Sequence, residues 1–154
     1  MKTRLLFILP ILALAAVLGV RAQDAKAKKE STELAAKMDN MRKAFGPLQK
    51  QAADSTKNED SLQKLATIRQ NAEASLKLEP EYKGQVPADQ QAKFVAEYQA
   101  KMKEFVAEIG KAEVAFKAGN NADAKAALDK MAALRNQGHK GFPEGFKAAK
   151  KKDQ

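Results

Sequence analysis

The sequence predicts an all-α fold, an antiparallel up-down-up-down four-helix bundle. Three observations support this prediction. Apolar residues recur at spacings of three and four in four separate segments, the pattern of helices with one buried face. Outside the N-terminal apolar run, no segment alternates apolar and polar residues with the period of two typical of a half-buried strand. The four segments are joined mostly by short connections, which favours antiparallel neighbours in a bundle.

The first predicted helix runs from about Ser31 to about Ala53. Ser31 or Thr32 is a suitable N-cap because its hydroxyl accepts a hydrogen bond from a free amide of the first turn. We expect a kink at Pro47, since proline removes one amide donor and clashes with the preceding turn. The expected buried stripe comprises Leu34, Met38, Met41, Phe45 and Leu48.

The second predicted helix runs from about Glu59 to Leu78, and the longest loop, Glu79 to Pro87, follows it. The third predicted helix begins at Pro87, which suits a first helical turn, and ends at Gly119, a residue typical of helix C-termini. The inner residues of the second helix are expected to be Leu62, Leu65, Ile68, Ala72 and Leu76. Those of the third are expected to be Phe94, Tyr98, Met102, Phe105, Ile109, Ala112 and Phe116.

The fourth predicted helix is capped by Asn120 or Asn121 and is expected to end at Gly141 and Pro143. The bundle is therefore expected to span residues 33–142, with a flexible lead-in over 23–32 and a basic tail over 143–154. One face of the fourth helix should hold Ala124, Leu128, Met131, Leu134 or Arg135, and Gly138 or His139.

The first 22 residues have the pattern of a cleaved secretory signal peptide. Lys2 and Arg4 precede an apolar run from Leu5 to Val20, and small residues before Gln23 suit signal peptidase. A membrane anchor is the alternative, but a run of about 16 residues is short for the roughly 20 that a spanning helix needs. We therefore expect export to the periplasm, with no stable membrane insertion after cleavage.

The chain has 154 residues, no cysteine and one histidine. The lack of cysteine excludes disulfides, thiolate metal sites, a cysteine nucleophile and thioether-linked haem. A single histidine excludes any metal site built from several imidazoles. No catalytic constellation is recognisable, so the protein is not expected to be an enzyme.

Lysine and arginine number 28 against 19 acidic residues, a formal net charge of +9. Cleavage before Gln23 leaves 25 against 19, about +6. Nucleic-acid binding is not expected, because no recognition motif is present and the aromatic residues lie on the predicted buried stripe. Five lysines from Lys140 onward oppose two acidic residues. This tail is either a solvated terminus or a device that steers docking to an acidic redox partner.

His139 has two interpretations that the residues alone leave open. It is either a partly exposed histidine near a helix end or an axial ligand to haem iron. Methionine from another helix is the natural second ligand. Met131 is excluded because it lies about 12 Å from His139 along the same helix. Met38 and Met41 are expected at the same end of the bundle as His139, and Met102 is expected to line the pocket.

Two motifs resemble the beginning and the end of chains in the cytochrome b562 family, whose members are haem-binding four-helix bundles. The motifs are Asp39–Met41 near the start of the mature chain and Arg135–His139 near its end. Gly119 falls at the family's turn between the third and fourth helices, and the resemblance covers roughly residues 33–146. It implies a monomeric one-electron carrier with one non-covalent haem b per chain.

The resemblance also implies roles for individual residues. It makes Met41 Sδ and His139 Nε2 the axial ligands, with Met38 as an alternative to Met41. It places Arg135 near the haem edge, where a guanidinium can pair with a propionate. The c-type relatives carry cysteine where this chain has Arg135 and Gly138, so the haem would not be covalently attached. The implied lining residues are Tyr98, Met102 and Phe105.

A second function remains open at the level of sequence. The lysine-rich surface and alanine-rich helices are also typical of a haem-free exported helical bundle, an adaptor or chaperone-like binding protein. The partners of the electron carrier would be haem and unknown periplasmic redox proteins. Haem binding distinguishes the two functions.

Overall fold

The structure is a computed structural model that describes residues 32–145, and of residues 140–145 it describes the backbone only. The expected signal peptide over 1–22, the lead-in as far as residue 31 and the tail beyond residue 145 lie outside the described residues. Within 32–145 no strand is present, and the all-α four-helix fold is confirmed. The helices are α1 (Glu33–Gln51), α2 (Asn58–Ser75), α3 (Gln91–Lys117) and α4 (Asn121–Gly145). Short 3₁₀ turns occupy Ser55–Lys57, Glu81–Gln85 and Ala88–Gln90.

Helix α1 begins at the predicted cap. The Thr32 hydroxyl accepts a hydrogen bond from the Ala35 amide at 3.2 Å and donates one to the Glu81 carboxylate. The second bond ties the start of α1 to the long loop between α2 and α3. Helix α1 continues through Pro47, so this proline does not end it.

The turn between α3 and α4 forms as the sequence predicts. Gly119 has a φ of 69°, a left-handed conformation that glycine adopts without a steric penalty. The Gly119 amide donates to Phe116 O at 3.1 Å and the Asn120 amide donates to Ala115 O at 2.9 Å, which is a Schellman motif. Asn120 Oδ1 then accepts from the Asp123 amide at 3.1 Å and caps α4.

Three helix boundaries differ from prediction by three residues or more. Helix α2 ends at Ser75 rather than Leu78, and α3 begins at Gln91 because a 3₁₀ turn occupies the residues after Pro87. Helix α4 continues to Gly145, so the expected end at residue 142 falls inside it. Pro143 lies two residues before this end, so the bond it removes and the distortion it introduces affect only the last turn of α4.

The core contains side chains from all four helices, and most of the predicted stripe residues are confirmed as buried. On α4 the alternative of Leu134 or Arg135 is decided, because Leu134 is half-buried and Arg135 is exposed. Ser61, Asn71 and Ser75 are buried polar residues that the apolar pattern did not predict. The main core cluster comprises Met41, Phe45, Leu48, Ala52, Leu65, Ile68, Ala72, Ile109, Ala112, Ala115, Phe116, Ala124, Ala127, Leu128 and Met131.

Side-chain hydrogen bonds reveal the relative direction of α1 and α2. Gln51 Nε2 at the end of α1 donates to Ser61 Oγ at 2.9 Å, near the start of α2. Asn40 Nδ2 near the start of α1 donates to Asn71 Oδ1 at 3.4 Å, near the end of α2. Residue numbers therefore rise along one helix as they fall along the other.

Helices α2 and α3 also run in opposite directions. Arg69 Nη2 donates to Glu113 Oε2 at 2.8 Å, and Tyr98 OH donates to Ser75 O at 2.9 Å. The later residue of α2, Ser75, thus pairs with the earlier residue of α3, Tyr98. The start of α3 lies beside the end of α2.

Two contacts orient α1 and α4. Asn121 Nδ2 at the start of α4 donates to Ala52 O, just after α1, at 2.7 Å. Further along α4, the guanidinium carbon of Arg135 lies 5.5 Å from the centroid of the Phe45 ring. The two helices therefore run in opposite directions as well.

Candidate functional site

The predicted site residues belong to helix segments that meet at one end of the bundle. This end, which we call the site end, is formed by the first half of α1, the last turns of α2, the first half of α3 and the last turns of α4. The Asn40–Asn71 and Tyr98–Ser75 hydrogen bonds join three of these segments. The tight turn at Gly119 lies at the opposite end, so the last turns of α4 return to the start of α3.

Met41 is the methionine of α1 that points into the core. Its residue surface is 7% exposed, and it belongs to the main core cluster. Met38, one turn earlier, is half-buried and packs against the same cluster. Because both thioethers border the core, α1 offers two soft donor atoms about 4.5 Å apart along its axis.

Arg135 is exposed and its guanidinium lies over Phe45. Its Nη2 donates to Asn136 Oδ1 at 3.3 Å. Among the side chains that the structure describes, Arg135 has no ion-pair partner. The guanidinium thus presents an unneutralised positive charge between α4 and α1.

The Arg135–Phe45 contact indicates where His139 and Met41 lie. His139 follows Arg135 by one turn of α4, and Met41 precedes Phe45 by one turn of α1. Since the helices run in opposite directions, both residues lie one turn beyond the contact toward the site end. His139 is exposed and Met41 is buried. The contact brings their helix turns to the same level of the bundle.

Among the residues that the structure describes, α1 and α4 form the loosest of the four helix-helix boundaries around the bundle. Close backbone approach joins α1 to α2, α2 to α3 and α3 to α4, and α1 and α4 approach each other less. Side chains such as Arg135 and Phe45 bridge this boundary. A flat group that enters the bundle from the side would meet the least backbone resistance there.

Tyr98 is buried, with 8% of its surface exposed, and its hydroxyl donates to Ser75 O at 2.9 Å. This bond gives the polar end of the buried ring a partner. Burial raises the pKa of Tyr98 to about 12, because the phenolate is poorly solvated there. The hydroxyl therefore stays protonated at neutral pH and joins α3 to α2.

Met102 and Phe105 continue the same face of α3 away from Tyr98 and are half-buried. Both pack against the main core cluster, as Met38 does from α1. The site end therefore retains apolar side chains that the protein covers only in part. Such side chains can line the faces of an apolar ligand.

The apolar pattern missed two functional candidates on α2, Asn71 and Ser75, which are 8% and 0% exposed. A signal was present, since Asn71 and Ser75 stand three and seven residues after Ile68, on the inward face of the helix. The predicted inner face of the second helix does not include them because it is defined by apolar residues. Their hydrogen bonds to neighbouring backbone carbonyls explain how burial is tolerated.

Comparison with known proteins identifies the family. Residues 33–142 match the family model described as cytochrome b562. The chain belongs to the cytochrome b562 family. No curated protein and no solved structure matched the chain. The matched range of this cytochrome b562 chain begins with α1 and ends in α4, so it includes Met41, Arg135 and His139.

Membership of the cytochrome b562 family implies haem binding, and the side chains at the site end are compatible with that group. Met41 supplies a buried thioether, and His139 supplies an imidazole that is not enclosed by the core. Arg135 supplies a cation for a carboxylate. In the part of the chain that the structure describes, no cluster of three or more His, Asp or Glu residues is arranged to hold a metal ion. No helix among the described residues has the length and apolar character needed to cross a membrane.

Proposed function

We propose that the mature chain is an exported b-type cytochrome that binds one haem non-covalently at the site end and carries single electrons. Family membership supports haem binding. The observation that carries the location is the contact between Arg135 and Phe45, because Met41 and His139 each lie one turn beyond it. The contact between Arg135 and Phe45 lies on the loose boundary between α1 and α4.

In this proposal Met41 Sδ and His139 Nε2 would hold the haem iron, one from each side of the loose boundary. When bound, haem supplies one-electron exchange between ferric and ferrous iron. Met41 is favoured over Met38 because its side chain is directed into the core. Since two side chains of the protein would hold the iron, the proposed function is electron transfer rather than catalysis.

The surrounding residues would bind the haem, orient it and exclude water from it. Arg135, held over Phe45, is free to pair with a carboxylate of the ligand edge. Met102 and Phe105 would be covered by the bound group and would keep water from it. A thioether ligand in an apolar wall disfavours the more highly charged ferric state, so we expect a raised reduction potential.

The proposal includes export and electron exchange with other proteins. Residues 1–22 carry the signal pattern, so the mature chain would begin at Gln23 in the periplasm. We propose a monomer whose basic tail steers acidic redox partners toward it. N-terminal sequencing of the protein recovered from the periplasmic fraction tests export, and an intact Met1 in the membrane fraction would contradict it.

Titration of the apoprotein with haemin tests the function. We expect one equivalent to give a sharp low-spin spectrum that changes on reduction. His139→Ala should abolish the six-coordinate spectrum, Met41→Leu should weaken it because only Met38 remains to bind, and Met38→Leu should retain it. Met131→Leu is the matched control, since Met131 is a fully buried core methionine outside the site end. A wild-type protein that remains indifferent to haemin would overturn the proposal in favour of the haem-free adaptor.

A further inference from the structure

A buried amide on α2 contacts the turn of α1 that carries the proposed ligand. Asn71 is 8% exposed, and its Oδ1 accepts a hydrogen bond from Asn40 Nδ2 at 3.4 Å. Its Nδ2 donates to Thr67 O, one turn earlier on α2, at 2.8 Å. The second bond fixes the orientation of the amide, so its oxygen is held toward α1.

The same turn of α2 is bound to α3. Ser75 Oγ donates to Asn71 O at 2.8 Å, and Ser75 O accepts from Tyr98 OH at 2.9 Å. Asn71 therefore lies in a continuous set of hydrogen bonds that joins α1, α2 and α3 at the site end. A buried amide is costly to leave unpaired, so this set favours one arrangement of the three helices.

The choice between the two methionines of α1 depends on small movements of that helix. Met38 and Met41 differ by about 60° around the helix axis and about 4.5 Å along it. Close packing of the buried side chains of α1 already restrains such a rotation, and a directional bond adds to that restraint. A hydrogen bond has a preferred direction, and Asn40, the residue before Met41, forms one to Asn71.

A second side-chain bond between α1 and α2 lies at the opposite end of their interface. Gln51 Nε2 donates to Ser61 Oγ at 2.9 Å, and Ser61 is fully buried. This bond restrains the far end of α1 about 15 Å from Met41, at ten residues' distance along the helix. It provides a bond of the same kind that does not adjoin the methionines.

We infer that Asn71 is a positioning residue which, through Asn40, sets the rotation of α1 so that Met41 rather than Met38 is presented to the iron. The inference rests on the proposed function, since it concerns the selection of the ligand. Without the Asn40–Asn71 bond, one directional restraint on the rotation of α1 is lost, and the preference for Met41 should fall by about two- to tenfold, the range set by one hydrogen bond.

The experiment uses haem-loaded protein in two backgrounds, Met38→Leu and Met41→Leu, which each leave one methionine of the pair. Imidazole titration followed by absorbance measures how readily an added ligand displaces the remaining thioether. Asn40→Ala should make Met41 about two- to tenfold easier to displace. The same change should make Met38 no easier, or harder, to displace. Asn71→Leu should reproduce both effects where it folds, and Asn40→Ala, a surface change, decides the outcome where it does not.

Ser61→Ala is the matched control, because it removes the far-end bond and should change neither displacement constant. Equal weakening of both methionines by Asn40→Ala, or no effect on either, would overturn the inference. A general loosening of the bundle would make both methionines easier to displace. Loss of the selection would make Met41 easier to displace but not Met38. Failure of the wild-type chain to bind haemin at all would instead overturn the proposed function.

Discussion

The guanidinium of Arg135 lies over the ring of Phe45, with 5.5 Å from Cζ to the ring centroid. This contact joins the last part of α4 to the middle of α1 across the loosest boundary of the bundle. A cation within about 6 Å of an aromatic face is attracted by the ring quadrupole. The contact therefore holds the two helices together where backbone packing contributes least.

A double-mutant cycle of Phe45→Leu and Arg135→Met tests this attraction. We expect a coupling free energy of about 0.5–1 kcal/mol, the range for an exposed cation-aromatic pair. Urea unfolding of the apoprotein measures the four free energies. Strictly additive effects of the two substitutions would show that the contact contributes nothing.

Tyr98 should make the stability depend on alkaline pH. Its pKa is raised to about 12 by burial, compared with about 10 in an unfolded chain. Its contribution is therefore complete below pH 10 and is lost as the pH rises toward 12, by about 2–3 kcal/mol. Tyr98→Phe should remove this decline but cost about 1 kcal/mol at pH 7, because the bond to Ser75 O is lost.

Unfolding in urea at several pH values from 8 to 12 is the measurement for Tyr98→Phe. Tyr82→Phe is the matched control, since Tyr82 packs on Phe94 in the neighbouring small cluster. An alkaline decline in Tyr98→Phe as steep as in the wild type would refute the assignment.

Asp60 should make the stability depend on acidic pH. Its contribution should be lost as the pH falls, whereas that of Tyr98 is lost as the pH rises. Hydrogen bonds from Lys64 Nζ, at 2.6 Å, and Gln51 Nε2, at 2.7 Å, lower the pKa of Asp60 below its ordinary value. Its contribution is therefore present above about pH 4 and is lost as the pH falls through the lowered pKa. Asp60→Asn should be less stable than the wild type at pH 6, and the difference should vanish at low pH. Thermal unfolding across pH 2–7 measures this, with the adjacent Glu59→Gln as the control; a difference that persists at pH 2 would contradict the prediction.

Asn58 and Asn121 form a reciprocal pair at the end of the bundle opposite the site. Asn121 Nδ2 donates to Asn58 Oδ1 at 2.8 Å and to Ala52 O at 2.7 Å, and Asn58 Nδ2 donates to Phe116 O at 3.3 Å. Asn121→Ala should cost about 1–3 kcal/mol, because partly buried polar groups lose their partners. Denaturant unfolding checks this, with Asn121→Asp as the conservative variant that keeps an acceptor. A cost below about 0.5 kcal/mol would mean that water replaces the amide fully.

The basic tail should raise the rate of electron exchange with anions. Neutralising Lys150, Lys151 and Lys152 with alanine should slow oxidation of the reduced, haem-loaded protein by ferricyanide at low ionic strength. Stopped-flow rates at increasing salt should converge for the variant and the wild type, because salt screens the tail. The matched control neutralises three lysines of α3, at positions 93, 103 and 117. Equal slowing in both triple variants would indicate that the rate depends on the net charge and not on the position of the lysines.

Local signals in the sequence were sufficient for much of the fold. Thr32 caps α1 and Gly119 forms the turn before α4, because each acts through hydrogen bonds or backbone conformation within a few residues. The predicted end of α4 was wrong. Pro143 was expected to end the helix, but it continues to Gly145, and only two residues follow the proline, so the distortion it introduces affects little of the helix.

The sequence predicted the apolar residues of the candidate site but not the buried polar residues around them. Met41 lies on the buried stripe, as expected from its spacing. Asn71 and Ser75 were missed because burial of a polar group depends on partners that other turns and helices supply. The roles of Met41 and His139 as ligands remain predictions.

The sequence by itself determined that the chain forms four amphipathic helices, since period and end signals depend on neighbours in the chain. It also determined which chemistry is excluded, because a chain without cysteine and with one histidine cannot build thiolate or multi-imidazole sites. Only the tertiary structure decided that Arg135 lies over Phe45 and that Asn71 faces Asn40. Those contacts join residues far apart in the chain, and their existence depends on the rotation and axial position of whole helices, which periodicity does not specify.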